Sequence, residues 1–169
     1  GHFAGKAVIP LDEAVSKIEA VVDAREDHNT LVIARTDARA IEGFESAMER
    51  AEAFIKAGAD MTFVEAPQSE EELRTIASRL SVPQVANMVV GGKTPLTTKA
   101  SLHEMGFSLV LYANTPLQAA MRAMSDVLKV LHDDGDVGRI TDKLADFEER
   151  QRLVSKDEYD AADARYSVK

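Results

Sequence analysis

Leu31-Val-Ile-Ala-Arg35-Thr36-Asp37 sets a short apolar run against a charged end, just before a stretch of helical pattern. The same figure recurs along the chain. Met61-Thr-Phe-Val leads to Glu65, Pro83-Gln-Val-Ala to Asn87, and Ser108-Leu-Val-Leu-Tyr-Ala to Asn114-Thr115. Brief, bounded apolar runs alternating with helical stretches are the mark of repeated βα units around a parallel sheet. The repeat lies in pattern rather than identity, at 22 to 30 residues per unit from Arg35 through Glu65, Asn87 and Asn114. In parallel α/β proteins the C-terminal strand ends form the reaction rim. An Arg, a Glu and two Asn along one rim point to a small anionic ligand.

The segments between the runs read as helices. From Pro10 to Arg25, Leu11, Ala14, Val15, Ile18, Val21 and Val22 fall on one side. From Gly43 to Ala57, Phe44, Ala47, Met48, Ala51 and Phe54-Ile55 form a stripe, and Gly58 stands where a helix takes a left-handed terminal residue. Ser69 is a candidate N-cap with Glu72 at the capping-box position, for a helix to about Leu80. Gly91-Gly92-Lys93-Thr94-Pro95 reads as a rim loop without the spacing of a phosphate-binding loop. Thr98 to Met105 is a short helix closed by Gly106. Pro116 to His132 is a long helix with Leu117, Ala120, Met121, Met124, Val127, Leu128 and Leu131 expected inward, broken by Asp133-Asp134-Gly135-Asp136. Arg139 to about Val154 and Asp157 to Tyr166 read as two charged helices with few large apolar residues. Helices so polar need a partner to lean on.

The chain has 169 residues, enough for one domain with a core but short of the roughly 250 of a closed (β/α)8 barrel. It opens at Gly1 without Met, which reads as a tag remnant, a trimmed fragment or a fragment left by a chain break. A net charge of -9 leaves no basic stripe for nucleic acid. There are no cysteines, which excludes disulfides and thiolate metal sites within the chain and fits a reducing compartment; the expected location is cytoplasmic. No run of about 18 apolar residues is present, so no membrane span is expected.

Arg35 follows a buried run, where a charge survives only if paired. It can grip a carboxylate or phosphate two-pronged, or pair with Glu65 on the next strand, or do both. Glu65 can orient Arg35, accept a substrate hydroxyl proton, or act only as a structural ion-pair partner. Asn87 can donate to an anion, accept from a hydroxyl, or cap its strand. Asp37, two residues past Arg35, can buttress it or cap the next turn. His28, His103 and His132 lie among charged residues and read as solvated, and no paired ligand spacing for a metal stands out.

Five segments taken together carry a resemblance: Gly1-His2-Phe3-Ala4-Gly5-Lys6, Ala34-Arg35-Thr36-Asp37-Ala38, Glu65-Ala66-Pro67, Ala86-Asn87-Met88 and Gly91-Gly92-Lys93-Thr94-Pro95. In order and spacing they resemble the isocitrate lyase / phosphoenolpyruvate mutase superfamily over essentially the whole chain, nearest to its methylisocitrate and dimethylmalate lyases. The resemblance implies a TIM-barrel fold, with this chain covering about the last four βα units over 1–138. It also implies a helical tail over 139–169 that packs on a neighbouring subunit of a homo-oligomer, a dimer of dimers. Gly1 and His2 would be the end of a substrate-closing loop. The catalytic Cys of that loop, the acidic Mg2+ ligands and the first four strands would lie outside this chain, which alone would be inactive. Substrate contacts are implied for Gly1, His2, Arg35, Glu65, Asn87 and, at a different spacing, Arg150, with Arg35 and Glu65 catalytic and no metal ligand in the chain.

Gln118 stands where the methylisocitrate enzymes carry a substrate-binding Arg, which favours a smaller diacid. The expected function is Mg2+-dependent carbon–carbon cleavage of a small 2-hydroxy or 2-oxo dicarboxylate through an enolate-like intermediate. Oxaloacetate decarboxylase and phosphonopyruvate or phosphoenolpyruvate chemistry are the alternatives within the family. A non-catalytic α/β domain that binds an anion or a partner is the alternative outside it.

Overall fold

Helix and strand alternate from Leu11 to Leu111 in the computed structural model of this protein, which describes residues 5–167. The elements are α1 (Leu11–Asp23), β1 (Ile33–Thr36), α2 (Phe44–Lys56), β2 (Met61–Val64), α3 (Glu70–Arg79), β3 (Val85–Asn87), α4 (Lys99–Met105) and β4 (Leu109–Leu111). β1 pairs with β2 and β3 with β4, both in parallel, and the Thr62–Gln84 bridge links β2 to β3. The order along the sheet is therefore the order along the chain, as consecutive βα units require.

Alternation along the strands separates two faces. Ala34, Thr36, Thr62, Val64, Ala86 and Met88 are buried. Val64, Ala86 and Met88 share a core with Met48 and Ala51 of α2, Leu73 and Ile76 of α3, and Leu102 of α4. Ala34 packs with Ala14 and Phe54. On the opposite face Met61, Phe63 and Val85 form a separate small cluster, while Ile33, Leu109 and Leu111 are exposed. β2 is buried on both faces. Its Thr62 hydroxyl donates to Gln84 Oε1 at 2.6 Å, and Gln84 Nε2 donates to the Val82 carbonyl at 2.6 Å, so both buried polar side chains are satisfied.

The starts of the strands are tied by Asp60. Its carboxylate accepts from the Val32 amide at 2.8 Å and from Arg25 Nη1, and Arg25 also reaches the Thr30 carbonyl at 3.2 Å. Arg50, buried in α2, donates to the Ile9 carbonyl at 2.8 Å and so fastens the segment before α1.

The helix signals hold with shifts of a residue or two at their ends. Ser69 accepts from the Glu72 amide at 3.1 Å, whereas the Glu72 carboxylate reaches back to the Gln68 amide at 2.7 Å, one residue beyond a standard capping box. Gly58 and Gly106 take φ of +100° and +107°, where a side chain would be strained. The first strand starts later than its apolar run, and Leu31 is exposed.

A second unit begins at Pro116. It holds nearly all of α5 (Thr115–Asp133), a 3-10 stretch Val137–Lys143, α6 (Phe147–Leu153) and α7 (Lys156–Tyr166). Two expectations are corrected here. The α5 stripe is not inward: Leu117, Met121, Met124, Leu128 and Leu131 are all exposed, and α5 has no buried residue. An apolar stripe shows that a helix has a face to bury, not that these residues cover it. Nor is there one helix from Arg139 to Val154. The chain extends at Leu144, and Asp146 opens α6 by accepting from the Glu149 amide at 2.7 Å. Asp146 with Glu149 is itself a start signal legible in the sequence.

Candidate active site

Arg35 and Phe63 lie directly opposite one another in the β1–β2 register, on the face away from the helices. Glu65 follows two residues after Phe63 and Asn87 ends β3, so period-2 geometry brings Arg35, Phe63, Glu65 and Asn87 to one face at one end. The Glu65 amide donates to the Thr36 carbonyl at 3.0 Å, which continues the ladder past the strand. Ala66 then turns the chain with φ of +58°, a left-handed value that costs a non-glycine residue roughly 1–2 kcal/mol. The chain therefore bends sharply right after Glu65.

The Glu65 side chain is 5 % exposed and lies with Oε2 3.3 Å from Arg35 Nη2. Asn87 Nδ2 donates to the same oxygen at 3.2 Å. Asn87 Oδ1 is buried with no hydrogen-bond partner among the described residues. A buried lone acceptor is costly unless something donates to it, so this atom suits a ligand hydroxyl or amide.

Arg35 is held from a second side. Nε donates to Asp37 Oδ2 at 2.9 Å and Nη2 to Asp37 Oδ1 at 3.2 Å, a two-pronged pair. Lys6 Nζ sits 2.8 Å from Asp37 Oδ1. Burial works against the Arg35 charge, but the Asp37 hydrogen bond and the charges of Glu65 and Asp37 outweigh it and raise its pKa. Burial likewise works against the Asp37 carboxylate, and the hydrogen bonds from Arg35 and Lys6 outweigh it, so its pKa lies below the usual value. Both groups stay charged at neutral pH. The two-pronged grip expected for a ligand is thus spent on Asp37, which fulfils its buttress reading. These hydrogen bonds and the Glu65 ion pair engage Nε and Nη2 of Arg35 and leave Nη1 out of them.

Arg35, Glu65 and Asn87 are brought together as the sequence reading expected. Arg150 lies in α6 with its guanidinium over the Phe147 ring of the same helix at 5.8 Å, and makes no ion pair among the described residues. Gly1 and His2 lie outside the described residues. Asn114 turns the chain before α5 with φ of +62°, and among the described residues no hydrogen bond joins its side chain to Arg35, Glu65 or Asn87. The reading missed Lys6 and Phe63. Lys6 carried no signal beyond its place in the opening motif, whereas Phe63 could have been found by stepping back two residues from Glu65. Among the described residues no three His, Asp or Glu side chains converge in a group that could hold a metal ion.

The phosphoenolpyruvate phosphomutase family profile matches residues 2–132. Among curated relatives, a chloroplastic carboxyvinyl-carboxyphosphonate phosphorylmutase of Arabidopsis thaliana is 44% identical over 170 residues, which are 99% of this chain and 50% of that protein. A 2-methylisocitrate lyase of Aeropyrum pernix is 42% identical over 169 residues, covering 100% of this chain and 54% of the relative. Among solved structures, a 2,3-dimethylmalate lyase superposes with a TM-score of 0.87 at 35% identity, over 97% of this chain and 55% of that one. A phosphonopyruvate hydrolase in complex with oxalate and Mg2+ gives 0.80 at 27% identity, over 97% and 60%. This chain spans about half the length of the curated relatives it matches.

Proposed function

The chain belongs to the phosphoenolpyruvate phosphomutase family, and from that premise we propose that it carries one rim of a carbon–carbon lyase site for a small 2-hydroxy or 2-oxo dicarboxylate. The observation that carries the reading is the convergence of Arg35, Glu65 and Asn87 at one end of parallel strands. The Nη1 end of Arg35 binds a substrate carboxylate and stabilises charge that develops there as the carbon–carbon bond breaks. Glu65, hydrogen-bonded by Asn87, accepts the proton of the substrate 2-hydroxyl. Loss of that proton makes the carbonyl of one product, the electron pair of the broken bond leaves as the enolate of the other, and that enolate takes up a proton at carbon to give the shorter carboxylic acid. Asn87 Oδ1 offers the substrate an acceptor.

On this reading the four parallel strands are about the last four βα units of an eight-stranded barrel, whose inner face carries Ile33, Leu109 and Leu111. Mg2+ belongs to the proposal by family. The described residues of this chain do not by themselves fit a metal site, its ligands would come from the length of the relatives that this chain does not span, and no step above passes through it. Gly1, His2 and Arg150 join the substrate contacts. The helices from Arg139 onward pack on a neighbouring subunit, a role suited to the exposed Phe147, Leu153, Tyr159 and Tyr166. No helix among the described residues is long and apolar enough to cross a membrane. A cytoplasmic location rests on composition alone.

A second reading is favoured by the phosphorylmutase and phosphonopyruvate hydrolase relatives: cleavage or migration of a carbon–phosphorus bond with the same enolate stabilisation. The two are separated by incubating the full-length protein and Mg2+ with substituted malates, oxaloacetate, methylisocitrate and phosphonopyruvate. The proposal expects turnover of the C4–C6 diacids. It expects them to outrun methylisocitrate, because the neutral Gln118 cannot compensate a third buried carboxylate. A preference for the phosphonate overturns the lyase reading.

A further inference from the structure

We propose that Phe63 is a positioning residue that fixes the plane of the Arg35 guanidinium, so that its Nη1 end, rather than its Nε edge, meets the ligand; this rests on the functional reading of Arg35. Arg35 Cζ lies 4.9 Å from the centroid of the Phe63 ring, well inside the range of a cation–ring contact. The two residues are cross-strand partners, so the contact is set by strand register and not by a mobile loop. The ring itself is anchored, being buried with Met61 and Val85 in a cluster of its own.

The Arg35 side chain is 41% exposed. A long side chain with that freedom does not hold one orientation without several constraints. Asp37 fixes one edge through Nε and Nη2, and Glu65 lies against Nη2. The Asp37 hydrogen bonds act within the guanidinium plane and leave rotation about that edge open, and the Glu65 contact at 3.3 Å is an ion pair without hydrogen-bond alignment. The ring, with Arg35 Cζ over its face, supplies a contact away from that hydrogen-bonded edge. Asp37 and Glu65 take up Nε and Nη2, and neither engages Nη1. An aliphatic side chain of similar size would fill the same space without a π face to hold the cation.

The test compares Phe63→Leu, which keeps an apolar side chain, with Phe63→Tyr, which keeps the ring. The first readout is calorimetric binding of oxalate to the full-length protein with Mg2+, with thermal midpoints alongside. Phe63→Leu is expected to weaken oxalate about five- to tenfold, the size of a partly buried cation–ring contact. Phe63→Tyr is expected to restore wild-type affinity to within about twofold, whatever the two midpoints do. Oxalate affinity unchanged in Phe63→Leu, or lost equally in both variants, overturns the proposal.

The second readout needs no ligand. The Arg35 Nε–H resonance is expected shifted by the ring current in wild type and Phe63→Tyr. In Phe63→Leu the shift disappears and solvent exchange is several-fold faster. A wild type that binds no oxalate and turns over no diacid overturns the proposed function. The positioning of Arg35 is then decided by this resonance alone, and an unchanged exchange rate in Phe63→Leu overturns it.

Discussion

Replacing Arg35 by Lys keeps the positive charge and removes the geometry. In the structure the guanidinium makes two hydrogen bonds to Asp37 at 2.9 and 3.2 Å, an ion pair with Glu65 at 3.3 Å and a ring contact at 4.9 Å. A single ammonium on a shorter reach keeps at most one or two of these and has no planar end for a ligand. The stability cost is small, because the side chain is well over a third exposed and exposed pairs contribute about 1 kcal/mol or less. The catalytic cost is larger. Removing one oriented donor to developing charge costs on the order of 2–4 kcal/mol, or a loss of roughly 30- to 1000-fold. The assay is kcat/KM of the full-length protein with Mg2+ and the diacid it turns over best, with a thermal melt on the same samples. Parallel falls in kcat and kcat/KM mark an interaction made in the transition state. Activity within twofold of wild type refutes the role of Arg35, and a loss matched by a collapsed melting temperature assigns the effect to folding.

Three further outcomes follow from the packing and charges. Thr62→Val strands the buried Gln84 Oε1 and should lower stability by about 1–3 kcal/mol in urea unfolding, while adding Gln84→Leu should recover most of it. For Glu72, burial opposes the charge, but hydrogen bonds from Arg39 and the Gln68 amide outweigh it and depress the pKa below its ordinary 4.5. A depressed carboxylate stabilises the fold above its unfolded pKa and loses that contribution as pH falls through the folded value. Glu72→Gln should therefore be less stable than wild type at pH 7, with the gap in urea midpoints closing below about pH 4.5. Deleting residues from Arg139 onward should shift the full-length protein to smaller species in sedimentation, and an unchanged size would refute the intersubunit role of the tail.

The strand-end rule made the convergence of three polar side chains legible. Arg35, Glu65 and Asn87 each followed an apolar run, and the period of two along a strand carries such residues to one face. The helix ends were readable because Ser69, Gly58 and Gly106 answer to local backbone chemistry. What escaped depends on register and long-range contact. Nothing in the sequence sets β1 against β2 so that Phe63 lies under Arg35, or spends the two prongs of that arginine on Asp37. The α5 stripe failed for a related reason: periodicity marks a face to be covered without saying what covers it. The break at Leu144 was missed where Asp146 and Glu149 gave a start signal inside a stretch read as continuous helix.

The products distinguish carbon–carbon cleavage from phosphonate chemistry. The full-length protein with Mg2+ and a substituted malate, followed by proton NMR, should release a 2-oxo acid and a shorter carboxylic acid in equal amounts, and Glu65→Gln should abolish both while keeping the wild-type melting temperature. Inorganic phosphate released from phosphonopyruvate with no cleavage of any diacid, or an unimpaired Glu65→Gln variant, would contradict carbon–carbon cleavage with Glu65 as the base.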